Sequence, residues 1–250
     1  IRDPGELDRL RVRTDGDGRP VVPAIARPSV RQIAVPTTLS GAEFSHTTGS
    51  VDAERHIKDI YIQEDIAAPA VILDAALALH TPRDVWITSG MRAVDHAVGS
   101  MCSRNAHPFT DATTSRGLRA VLDEPESAAV RLESMVGVWL ASTGMMRMQY
   151  GASHGLSWHL GAVADIPHGH CSCVLLPSVL RWNAAANAAQ QKGVSEAMGR
   201  PDLAAADAVL DLIRTLGQPS TLREVGIGRE HFDKIARDAM DNILVRNNAR

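Results

Sequence analysis

The sequence predicts a short α/β segment followed by a larger all-helical region, helical in its majority, and three observations carry that reading. Compact apolar or β-branched runs of strand length occur early, at 30–35 (VRQIAV) and 70–73 (AVIL). After Thr81-Pro82 the apolar residues recur with helical spacing and continue so to the end. Aromatic residues make up only 4% of the chain while hydrophobic residues reach 44%, the balance of a core closed by Ala, Leu, Val and Met on helices. The change of pattern falls across 74–81, which divides the chain into residues 1–77 and 78–250.

The elements follow in order. A short helical piece at 5–10 leads into Asp15-Gly16-Asp17-Gly18, a turn signal that fits an exposed hairpin. The strand at 30–35 runs into Pro36-Thr37-Thr38-Leu39-Ser40-Gly41-Ala42-Glu43, a hydroxyl-rich loop. Loops of this kind at a strand end can hold phosphate or ribose oxygens, and they serve equally as ordinary capped turns. Lys58 stands in a polar connection, and the strand at 70–73 ends on Asp74. Thr81 as N-cap with Pro82 in the first helical position starts a helix over 85–101. Further helices are expected over 127–148, 173–192, 203–216 and 229–245, with a short capped turn at 219–226.

Composition excludes several classes of function. A formal net charge of −3 with mixed signs offers no basic stripe for nucleic acid. No apolar run approaches the roughly 20 residues of a membrane helix. Cys102, Cys171 and Cys173 cannot all pair within one chain, which fits a reducing, cytoplasmic setting.

Chemistry concentrates in residues 151–183, read as a glycine-interrupted loop that runs into the helix at 173. Four of the ten histidines, His154, His159, His168 and His170, fall there among Gly155, Gly161 and Gly169. Imidazole holds metals and moves protons near neutral pH, and neighbouring glycines admit close approach of a ligand. On the helix at 85–101, Arg92 and His96 stand four apart and share a face, with Asp95 on an adjoining one. His96, His154 and His168 can meet between helices as a three-histidine site for zinc or iron, or pack separately as hydrogen-bonded core residues. The run His170-Cys171-Ser172-Cys173 is discounted as a metal knuckle, because its cysteines adjoin an apolar helix.

The runs VPTTLSGAEFS at 35–45, TSGMRAVDHAV at 88–98, SHGLSWHLGA with the following PHG, and LLPSVLRWN resemble the iron-containing alcohol dehydrogenase superfamily. Around Met91 to His96 the chain is most similar to maleylacetate reductases. The resemblance implies a dehydroquinate synthase-like fold: the remnant of a dinucleotide-binding α/β domain, then an all-helical domain, with the active site between them. It implies dinucleotide contacts at Thr37, Thr38, Ser40 and Lys58, metal ligands at His96, His154 and His168, and an assembly of two identical chains, a homodimer. Three departures qualify it. Arg92 stands where metal-dependent members carry aspartate, so a divalent iron or zinc meets a repulsive cation. Trp158 takes the place of a further active-site histidine, with His159 one step on. The family's glycine-rich GGGS loop for the pyrophosphate lies upstream of Ile1, so the chain is either a fragment or a shortened relative.

The function so implied is NAD(H)- or NADP(H)-dependent reduction of a small oxo-acid or other carbonyl compound, conditional on that upstream loop. Arg92, His96, His154, His159 and His168 are its candidate catalytic residues. The alternatives are a metal-dependent hydrolase or lyase built on the three histidines, and a non-catalytic assembly subunit that pairs through the strand edge at 30–35.

Overall fold

Short β-branched runs between turn residues can make only small sheets, and the computed structural model, which describes residues 4–16, 19–52, 57–121, 127–145, 147–240 and 242–250, contains three pairs of strands. Helix α1 (Pro4–Leu10) precedes β1 (Arg13–Thr14), which pairs antiparallel with β2 (Pro20–Val21). Strand β3 (Ile33–Ala34) pairs parallel with β6 (Ala70–Val71), Ile33 opposite Ala70. The two expected strands therefore meet, though over a shorter ladder than 30–35 and 70–73. Its outward residues are apolar: Val30 is 82% and Ile33 64% exposed, with Val35 and Ile72 exposed beside them. A parallel pair is normally covered on both faces.

Between these strands lies an antiparallel hairpin that the sequence reading passes over as a polar connection, β4 (Thr47–Asp52) and β5 (Ile57–Ile62). Strand β4 reads TTGSVD, with one large apolar side chain, so its alternation is faint. Pairing with the Ile-rich β5, where Tyr61 is buried, brings it into the sheet.

The remainder is helical: α2 (Ala75–Ala78), α3 (Arg83–Met101), α4 (Pro108–Val121), α5 (Ala128–Ser142), α6 (Ala152–Ala164), α7 (His168–Asn183), α8 (Ala188–Ala197), α9 (Ala205–Thr215), α10 (Phe232–Met240) and α11 (Ile243–Arg246). Three expectations are corrected. The helix expected over 127–148 ends at Ser142. The one expected over 173–192 begins earlier, at His168, and yields to α8 after a turn. The stretch at 151–164, read as a loop, is helix α6. Its glycines lower helix propensity by about 1 kcal/mol each, and packing against α7, α10 and α11 overrides that cost. Thr81 does not cap α3; its hydroxyl donates instead to the Thr37 carbonyl at 2.7 Å.

Helix α3 is the axis of the helical part, packed against α4, α5, α6, α7 and α8. Met91, Val94, Ala97 and Val98 meet Cys173, Leu176 and Leu180 of α7, Val194 of α8, and Val209 and Ile213 of α9 in one buried cluster. Each large side chain so buried contributes about 1.5–3 kcal/mol. A second cluster joins Leu39 of the hydroxyl-rich loop to Trp86 and Ala93 of α3 and to Met135 and Val138 of α5. That anchor carries the loop onto the helical part.

Candidate active site

Because the helical repeat brings residues three and four apart onto one flank, α3 presents Arg92, Asp95 and His96 together to the groove between α6 and α7. Asp95 is fully buried, and a buried carboxylate persists as an anion only with partners around it. Arg92 Nη1 donates to its Oδ2 at 3.0 Å, Ser172 Oγ of α7 donates to the same oxygen at 2.8 Å, and Ser153 Oγ of α6 donates to Oδ1 at 2.9 Å. Nδ1 of His154 stands 3.4 Å from Oδ1. One carboxylate thus joins three helices.

From Asp95 the contacts continue outward. Nε2 of His154 lies 2.9 Å from Nδ1 of His96. An anion at Nδ1 favours the His154 tautomer protonated there, which leaves Nε2 to accept from His96. Both rings are buried, and burial first, then the Arg92 charge, holds both well below the ordinary histidine pKa. Asp95 and a hydrogen bond with the Ser40 backbone oppose the shift at His96. The pair is accordingly neutral at physiological pH.

Tyr150 sets the planes of these rings. Its ring stacks on His154 at 4.2 Å and 24°, and meets His96 edge-on at 5.8 Å. Its hydroxyl lies 3.0 Å from Ser100 Oγ and also donates to the His96 carbonyl at 3.4 Å. Gly99 makes the approach possible, since a Cβ there would lie 2.7 Å from the Tyr150 ring. Burial pushes the phenol pKa up, so it stays protonated as a donor.

The hydroxyl-rich loop lies over the same groove. Leu39 donates its backbone N–H to Ser89 Oγ of α3 at 2.9 Å, and Thr38 Oγ1 and Ser40 Oγ sit 3.1 Å apart. Thr38 and Ser40 are half-buried and Thr37 is exposed. The Ser40 backbone lies near enough to His96 to favour its protonated form. The side chain of Lys58 lies outside the described residues.

The remaining candidates separate. His168, the first residue of α7, is half-buried and close enough for its charge to lower the His154 pKa. His159 faces the other way: its Nε2 meets Asn242 Nδ2 at 3.4 Å, and Asp238 and Lys234 are the charges it feels. Burial lowers its pKa too. The cysteines flanking Ser172 are buried free thiols, and Cys173 is pushed up to about 12 by burial, Asp95 and Cys171.

The donor set does not fit a metal ion. Among the described residues no group of three or more His, Cys, Asp or Glu side chains is arranged to hold one. His96 and His154 turn a nitrogen toward each other, and the nearest carboxylate is paired with a guanidinium. Asp95, read from the sequence as lying on an adjoining face, is instead the centre of the cluster. Ser153, Ser172 and Tyr150 had no signal in the sequence beyond being polar residues near a histidine or a helix start.

Comparison with known proteins gives this geometry a setting. The family model described as the C-terminal part of the Fe-containing alcohol dehydrogenase family matches residues 86–250. Dehydrogenase ALT3 of Alternaria alternata is 30% identical over 95% of this chain and 70% of its own length. Maleylacetate reductase of Rhizobium sp. (strain MTP-10005) is 29% identical over 86% of this chain and 62% of its own length. The crystal structure of maleylacetate reductase from that strain superimposes with a TM-score of 0.76 at 29% identity, covering 85% of this chain and 61% of the other. That of a 1,3-propanediol oxidoreductase gives 0.83 at 26% identity, over 90% of this chain and 64% of the other. The chain spans 60% to 70% of the length of the first three curated relatives it matches.

Proposed function

The chain belongs to the Fe-containing alcohol dehydrogenase family, and from that membership we propose that it carries the catalytic part of an NAD(P)H-dependent reductase of a small oxo-acid or related carbonyl compound, of the maleylacetate reductase type. The observation that supports this reading most directly is the joining of the hydroxyl-rich loop to the Arg92, Asp95, His154, His96 cluster through Ser40 and Ser89. Relatives named as maleylacetate reductase, lactaldehyde reductase and alcohol dehydrogenase agree with it in reaction class.

The half-buried hydroxyls of Thr38 and Ser40, beside His96, are a donor set suited to ribose or amide oxygens of a dinucleotide. When bound, the reduced nicotinamide supplies the hydride. This chain's own residues then have two tasks. His96 and His154, which share one N–H between Nδ1 and Nε2, relay a proton taken up from solvent to the carbonyl oxygen as it becomes an alcohol. Arg92 lends positive charge to that oxygen or to a substrate carboxylate. Asp95 keeps the guanidinium in place through Nη1 and limits its net field. No metal step is needed, since Arg92 occupies the position of the cation-binding carboxylate. We infer a cytoplasmic setting and a homodimer on the same footing.

The test is oxidation of NADH or NADPH by the purified full-length gene product that contains this chain, in the presence of maleylacetate, other small oxo-acids and short aldehydes, with a chelator added in parallel. Turnover of the oxo-acid, unaffected by the chelator and reduced about a hundredfold or more in Arg92→Ala, is expected. A full-length protein that binds neither dinucleotide and turns over none of these carbonyls sinks the reading. Turnover unchanged in Arg92→Ala removes that residue from it.

A further inference from the structure

Helix α6 delivers both Ser153 and His154 to Asp95 from its first turn, yet it begins at Gly151, which has no side chain with which to cap the exposed N–H groups there. The missing acceptor comes from far along the chain. The backbone N–H of Ala152 donates to Asn248 Oδ1 at 3.1 Å. The Asn248 amide is buried, at 7% exposure, and is itself held by a reciprocal pair with the buried Asn183 of α7: Asn183 Nδ2 donates to Asn248 Oδ1 at 3.0 Å, and Asn248 Nδ2 donates to Asn183 Oδ1 at 2.8 Å. Arg104 donates to the Asn248 carbonyl from the end of the α3 turn. A Cβ at position 151 would stand 2.7 Å from Asn248 Oδ1, so glycine is what admits the amide.

A cavity lies between this amide pair and the site. Asp95, Ser153 and His154 line one side of it and the 247–249 segment another. The first turn of α6 thus faces this cavity on one side, and the hydrogen bond from Asn248 ties it from beyond the helix.

We propose that Asn248 is a positioning residue of the site. By capping α6 from outside, it sets Ser153 and His154 against Asp95 and so fixes the His154 to His96 contact. Only the activity readout of this inference rests on the reductase reading given above.

The experiment compares the parent chain with Asn248→Ala and Asn248→Asp, the second of which keeps an acceptor for the Ala152 N–H. Two readouts are taken well below each variant's melting temperature: the slowly exchanging imidazole N–H shared by His96 and His154 in proton and nitrogen NMR, and kcat and KM for carbonyl reduction. In Asn248→Ala the shared imidazole proton is lost and kcat falls about tenfold or more, while KM for NAD(P)H stays within about twofold. Asn248→Asp, which keeps the acceptor for the Ala152 N–H and loses the donor to Asn183 Oδ1, recovers part of both. Should Asn248→Ala fail to fold, Gly151→Ala, which displaces the amide without deleting it, is expected to give the same pattern. A variant with lowered melting temperature but an intact imidazole proton and unchanged kcat overturns the proposal and leaves only a structural cap. If the full-length parent protein shows no reductase activity, the reductase reading fails, and the NMR readout alone decides the role of Asn248.

Discussion

Asp95 shows how one buried charge organises a site. A carboxylate removed from water costs several kcal/mol, and this one is compensated by a guanidinium, two serine hydroxyls and the Nδ1 edge of an imidazole. Cutting it away leaves Arg92 buried without its counter-ion, so Asp95→Ala is expected to lose about 3–5 kcal/mol in urea unfolding. A loss under about 1 kcal/mol would mean that the pair is solvated in solution. Tyr150 separates two effects in the same way. Tyr150→Phe removes only the hydroxyl's bonds to Ser100 and the His96 carbonyl and should cost about 1 kcal/mol. Tyr150→Ala also removes the face on which His154 stacks and should cost about 3–5 kcal/mol. Equal losses in the two variants would show that the ring contributes nothing. Arg92 and His96 were legible from their spacing of four on a periodic stretch. Asp95 was visible but misplaced, because helical periodicity states which flank a residue occupies and not how far a neighbouring helix wraps around it.

At the scale of elements, local chemistry decides ends and tertiary packing decides existence. The short turn at 219–226 is a case of the first. Thr221 and Glu224 form a reciprocal capping box, and Glu224 is held below the usual carboxylate range by the Ser220 backbone N–H and the Thr221 hydroxyl. Thr221→Ala should cost about 1 kcal/mol, measured by thermal unfolding, and an unchanged melting temperature would count against the box as a stabilising feature. Helix α6 is a case of the second. Three glycines within or beside it argue for a loop, and only α7, α10 and α11 packed around it supply the burial that makes it a helix. The hydroxyl-rich loop depends on both. Its turn residues are local, but its place over His96 follows from Leu39, whose side chain is buried against Trp86 and Met135. Leu39→Ala is expected to destabilise by about 2–5 kcal/mol and to loosen the loop, with raised amide exchange at Thr38 and Ser40 as the check.

For the whole molecule, the neutral histidine pair couples stability to pH. Folded, His96 and His154 have pKa values well below the ordinary 6.5. Unfolded, the same rings take up protons near about pH 6.5. Below that value the unfolded state therefore binds more protons than the native one, and stability falls as the pH is lowered, whereas above it the contribution is constant. The melting temperature should be level from about pH 8 to 7 and decline from about pH 6.5 downward, and a His96→Gln/His154→Gln variant should lose part of that slope; an undiminished slope would place the effect on other groups. No helix among the described residues is long and apolar enough to cross a membrane. The sequence by itself determined the succession of a short α/β segment and a long helical one, the family, and the identity of Arg92, His96, His154 and His168 as candidates, because periodicity and motif spacing are properties of neighbouring residues. Tertiary structure alone decided that His96 and His154 share a hydrogen bond while His159 turns away, that Asp95 is the counter-ion of Arg92, and that Asn248 caps α6. Those outcomes depend on distances between residues up to 96 positions apart, which only the packing of α3, α6 and α7 around one buried charge can set.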